Sequence, residues 1–141
     1  MKSQNSGFTL IELLIVVAVV AILTTLAYPS YQDAIRKSNR GAAESLLTDV
    51  AQRQQQFLLD NRGYAGPSNC TDQPAFVATL NVNPGSVSDV CSHYDVTVTP
   101  NAGPPPSFIA TATPKGRQQA DLGGQALTID NRGAKAPSGA W

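Results

Sequence analysis

Histidine is almost absent from this chain of 141 residues, with His93 as its single representative, and cysteine occurs only at Cys70 and Cys91. These shortages exclude much of the chemistry a small domain can carry. A tetrahedral metal centre needs four ligands, usually paired at short spacing, and no Cys-x-x-Cys or Cys-x-x-His pair exists. Cys70, Cys91 and His93 together still leave a fourth ligand missing. One histidine without a serine and aspartate constellation makes no nucleophilic triad. Glycine-rich phosphate loops are lacking too, since "DLGGQ" and "NPGS" have turn composition. Asp121 and Asp130 lack an oxygen-rich loop around them and read as turn residues rather than calcium ligands. Charge of one sign is also missing, because ten Lys+Arg balance ten Asp+Glu. No basic field draws the chain to nucleic acid, which is not expected as a partner. No catalytic residue, metal or cofactor is expected.

What the chain has instead is one long apolar run. Residues 8–28 hold 21 positions, and Glu12 is the only charged side chain among them. As a helix they span roughly 32 Å at about 1.5 Å per residue, the thickness of a bilayer's hydrocarbon core. The remainder is rich in Pro, Gly, Ser, Thr, Asn and Gln. The organisation is therefore one membrane segment and one small head. A secretory signal peptide is the lesser reading, because its apolar core is shorter and a cleavage site follows it.

The two cysteines read better as a Cys70–Cys91 disulfide than as two buried free thiols, and a disulfide places the head in an oxidising compartment. Charge flanking points the other way. Arg36, Lys37 and Arg40 follow the apolar run while only Lys2 and the amino terminus precede it, which by the positive-inside rule favours a cytoplasmic head. The cysteines carry more weight. The three cations read equally as contacts to lipid headgroups or subunits and as a solvated helix face.

Residues 30–59 place apolar side chains near the helical period, from Tyr31 and Ala34 through Leu46, Leu47 and Val50 to Phe57 and Leu58. Pro29 opens this stretch, with Ser30 or Asp33 as a cap, Gly41 weakens its middle, and Gly63 is the left-handed stop. Residues 64–92 read as loop. "YDVTVT" at 94–99, "SFIATAT" at 107–113 and "QALTID" at 125–130 alternate as strands. The fold class is α+β: a long N-terminal helix packed on a small antiparallel sheet of three to four strands.

Glu12 remains to be explained. A carboxylate at the centre of a spanning helix costs on the order of 2.5–3.5 kcal/mol, less near its edge, and such a group normally has a partner. No Lys, Arg or His lies within residues 8–28 to supply one. Here "GFTLIELLIVVAVVAIL" resembles the class III signal of type IV pilins and pseudopilins. The resemblance implies a leader at 1–7, a cut between Gly7 and Phe8 by prepilin peptidase, and N-methylated Phe8 as the mature N-terminus. It implies that Glu12, fifth after the cut, neutralises the amine of a neighbouring subunit. The divisions that follow are the leader 1–7, a transmembrane and assembly helix 8–28, an amphipathic helix 29–63 and a head 64–141.

The tail resembles that of minor pilins of the PilE type, through Phe108, Ala112, Pro114, Gly116, Gln119, Asp121, Gly124, Leu127, Thr128, Asp130, Gly133 and Trp141. Gly123 and Ala140 stand where that pattern has a pair of cysteines. Trp141 is expected to bury itself against the sheet. The resemblance implies a minor pilin, held in the bacterial inner membrane with a periplasmic head, then passed by an assembly platform into a surface filament of pilin subunits. Adhesion, twitching motility or priming of the filament are the roles it implies. A type II secretion pseudopilin and a DNA-uptake or adhesive pilin are the alternatives.

Overall fold

The structure, a computed structural model, describes residues 8–141. The chain divides into two compact units, Met1–Ile35 and Arg36–Trp141. Helix α1, Leu10–Asn61, contributes to both. In the first unit every described residue up to Tyr31 is exposed, and an 18-residue window of α1 has a mean hydropathy of 2.8. Length and composition make it a candidate membrane span.

Pro29 lies inside α1 and does not start a new helix, so neither Ser30 nor Asp33 caps one. Gly41 is also absorbed without a break; a Cβ there would meet nothing. The left-handed residue past the helix end is Arg62, with φ of 58°, rather than Gly63. Its N–H reaches the Leu58 carbonyl at 2.8 Å and closes the last turn.

Within the second unit, α1 buries Ala43, Leu46, Leu47, Val50 and Gln54. These follow the spacing of one helical face. Five strands form the sheet in the order β1-β2-β3-β4-β5, antiparallel throughout. They are β1 Ser68–Asn69, β2 Tyr94–Asn101, β3 Ser107–Pro114, β4 Leu127–Asp130 and β5 Lys135–Ala136. The three central strands are those that alternation announces. The two edge strands have two residues each, too short to display any period.

Tyr94, Val96 and Val98 on β2, Phe108, Ala110 and Ala112 on β3, and Leu127 and Ile129 on β4 point into the core. Asp95, Thr97, Thr99 and Ile109 point outward. The inner face shares one core with Leu47 and Val50 of α1.

Residues 64–92, expected as loop, hold two short helices, α2 Gln73–Leu80 and α3 Pro84–His93. Both starts have a physical cause. Asp72 accepts from the Ala75 N–H at 3.1 Å, and Asn83 accepts from Gly85 and Ser86 at 2.8 and 3.3 Å. Each cap is followed within two residues by a proline, Pro74 or Pro84, where a missing N–H costs nothing. Phe76, Leu80, Val87 and Val90 fasten these helices to the core.

Candidate assembly site

The first turn of α1 holds Glu12. Gly7 lies outside the described residues, and Phe8 is 81 % exposed. Thr9 caps the helix: its Oγ1 accepts from the Glu12 N–H at 3.3 Å, and its hydroxyl donates to the Glu12 carboxylate at 3.4 Å. Thr9 thus satisfies one free backbone donor of the first turn, and its hydroxyl, rather than a backbone N–H, meets the carboxylate. Among the described residues the carboxylate has no cationic partner. It is exposed, fixed at the N-terminal end of α1, and open to a group from outside the chain. Thr9 was legible in "TLIE" but is obscured by the apolar pattern around it.

Cys70 and Cys91 form a disulfide across 21 positions. It joins the 3-10 turn Cys70–Asp72 to α3, so β1 and both short helices are tied together. His93, the last residue of α3, is half-buried, and its carbonyl accepts from the Lys115 N–H at 3.0 Å.

A polar latch fixes the head at its first residues. Its centre is Gln118, 3 % exposed, on the 3-10 segment Gly116–Gly124. The Gln118 amide donates to the Arg36 carbonyl at 2.8 Å, to the Tyr94 hydroxyl at 2.9 Å and to Asp121 at 3.3 Å, while Asn39 donates to its oxygen at 3.3 Å. Asp121 also meets Arg40 at 3.4 Å, and Arg40 meets Glu44 at 3.6 Å. The buried glutamine of the tail is thus Gln118; Gln119, the residue singled out from sequence, is exposed. Burial raises the Tyr94 phenol above its ordinary value of 10.0, against the opposing hydrogen bond from Gln118.

The two aspartates considered as calcium ligands have different tasks. Asp121 belongs to the latch, and Asp130 accepts from the backbone of Arg132 and Ala134 at 2.8 Å each. Gly123 is exposed in the left-handed region at φ of 63°, and Ala140 is buried. Trp141 is half-buried rather than enclosed. Lys135 lies over its ring at 4.4 Å, and its indole N–H reaches the Ala136 carbonyl at 3.1 Å.

Comparison with known proteins agrees with this architecture. Residues 29–127 match the family model described as "Type IV minor pilin ComP, DNA uptake sequence receptor". Residues 2–28 match the prokaryotic N-terminal methylation motif. Among curated relatives, a type IV major fimbrial protein FimA of Dichelobacter nodosus is 35 % identical over 105 residues, covering 74 % of this chain and 64 % of that protein. The type IV wide pilus major component PilA4 of Thermus thermophilus is 40 % identical over 58 residues, covering 41 % of this chain and 44 % of that one. The chain spans less than two thirds of the length of these relatives. With a methylation motif on the apolar helix and a pilin model matched across most of the helix-and-sheet head, the chain belongs to the type IV pilins.

Proposed function

We propose that this chain is a minor subunit of a type IV pilus. Prepilin peptidase cuts between Gly7 and Phe8. Residues 8–28 then hold the subunit in the inner membrane with its head on the periplasmic side, and the assembly platform transfers it into the filament. The observation that carries this reading is Glu12: a carboxylate in an apolar helix, capped by Thr9, with no cation near it among the described residues. The cut creates a positive amine four residues upstream of Glu12. A carboxylate and an amine from two subunits, both desolvated by helix packing, strongly disfavour any register that leaves either unpaired. Hydrophobic packing supplies the affinity and the ion pair supplies the alignment. The match of the head to a minor-pilin model supports the minor over the major role.

Mass spectrometry of sheared surface filaments tests this reading. The expected result is a peptide beginning at N-methylated Phe8, at low stoichiometry relative to the dominant pilin. A processed subunit found only in membranes would favour the pseudopilin reading instead.

A second reading, a pilin that binds DNA during uptake, is favoured by the description of the matched family. A cleft of about 360 Å³ lies among Arg62, Tyr64 and Asn101. The Gln55 amide donates to the Tyr64 hydroxyl and to the Asn131 carbonyl, which brings Arg62 and Arg132, exposed and without an ion pair among the described residues, to one end of the head. Binding of duplex DNA by the full chain in detergent is expected to weaken with salt. Arg62→Gln and Arg132→Gln would each lower the salt slope by about one.

A further inference from the structure

Three exposed cations at the root of the head form no ion pair among the described residues: Lys37, Lys115 and Arg117. In sequence, Lys37 is far from the other two. The latch joins the two segments that carry them. Gln118, next to Arg117, donates to the carbonyl of Arg36, next to Lys37, and the Gln118 N–H reaches the Lys115 carbonyl at 3.1 Å. Of the acids near this end, Asp121 and Glu44 face Arg40, Asp33 lies one turn before Lys37 on α1, and Asp95 lies on the outer face of the sheet opposite Thr113. The result is a small positive collar around the start of the second unit.

We propose that this collar binds the phosphate headgroups of acidic phospholipid while the subunit is stored in the membrane. Chain connectivity selects this occupant. Arg36 lies eight residues beyond Tyr28, the end of the apolar run. α1 runs unbroken through these eight residues, a rise of roughly 12 Å, which is comparable to the distance over which headgroup charge acts. Cations in that zone attract acidic lipid, each multiplying the bound population roughly five-fold, with the effect confined to about one Debye length. The same three charges are then free to leave lipid when the subunit enters a filament, because none forms an ion pair among the described residues.

The inference rests on the reading of a membrane-stored subunit, and the test separates the two. The full chain is first reconstituted into vesicles and washed with alkaline carbonate; extraction of the protein would overturn the storage reading itself. The chain is then taken from micelles holding equal phosphatidylglycerol and phosphatidylcholine, and retained lipids are counted by native mass spectrometry. The expected result is enrichment of phosphatidylglycerol that falls at least ten-fold in a Lys37→Gln, Lys115→Gln, Arg117→Gln variant. Phosphatidylcholine retention should stay unchanged. A control variant, Arg62→Gln, Arg132→Gln, Lys135→Gln, removes equal charge elsewhere and should keep the enrichment. Equal enrichment in wild type and collar variant would overturn the proposal. So would an equal loss in both variants, which reports net charge alone, or a collar that retains duplex DNA with no preference between the lipids.

Discussion

The two ends of α1 belong to one unbroken helix and solve different problems. Residues 10–28 are apolar on every side, and none of them is buried in the chain. Residues 43–54 carry a single buried stripe, with Gln54 as its one polar member. The Ala65 N–H donates to the Gln54 oxygen at 2.8 Å, and the Gln54 amide reaches the Ala65 carbonyl at 3.4 Å, so even this member is satisfied. The head-bound end obtains its stability from the chain's own core. The apolar end takes none from that core, and under the proposed function it packs on lipid or on other subunits. Glu12 and Gln54 show the contrast most directly. Each is a polar group on an apolar surface, but one is paired within the core and the other is exposed, with no cationic partner among the described residues.

The strongest way to break the comparison is at Glu12. Glu12→Ala should still insert and be cut but should enter filaments at least ten-fold less. Quantitative mass spectrometry of sheared pili against membrane fractions reads this directly. Normal incorporation would sink the assembly role. Denaturation of the head should not change, because Glu12 contributes nothing to its core.

A matched pair of leucines sharpens the contrast. Leu47 is fully buried, and Leu47→Ala should cost about 2–5 kcal/mol in urea unfolding of the full chain in detergent. Leu14 is 61 % exposed, and Leu14→Ala should stay within about 0.5 kcal/mol in the same measurement. Equal losses would mean that the apolar end packs on the head.

Smaller effects test the head alone. Replacing Cys70 and Cys91 together by serine opens a loop of 21 positions, and about 3 kcal/mol should be lost. Smallest is the alkaline limb of stability. Burial raises the Tyr94 phenol above 10.0, so the unfolded chain ionises first as pH rises. This contribution is complete below about pH 10 and declines as pH climbs from there towards the folded value. Tyr94→Phe should flatten that part of the stability profile. An unchanged slope would show that the phenol does not carry it.

Much of the molecule was legible before its folding. The three central strands show their alternation outright, and the apolar run and amphipathic stripe separate the two ends of α1. Both cysteines were readable as a pair because nothing else in the chain could use them. Other features were harder to see. The caps at Asp72 and Asn83 were present in the sequence, but the Pro- and Gly-rich composition around them reads as loop. The left-handed position fell on Arg62 although Gly63 stood beside it, since the helix end is set by where its last carbonyl finds a donor. Gln118 and Gln119 are indistinguishable as neighbours in a polar segment, and only one faces the Arg36 carbonyl.

Sequence by itself determined the features that rest on local pattern: an apolar helix long enough for a bilayer, a lone carboxylate near its start, alternating strands and one pair of thiols. Period and composition need no knowledge of distant residues. Tertiary structure alone decided which distant groups meet. It placed Gln118 among Arg36, Asn39, Tyr94 and Asp121, and so joined the segment of Lys37 to that of Lys115 and Arg117. The physical reason is that such groupings arise from desolvation. A buried amide must find every partner it can within the closed core, and the charges it carries with it end wherever that closure leaves them.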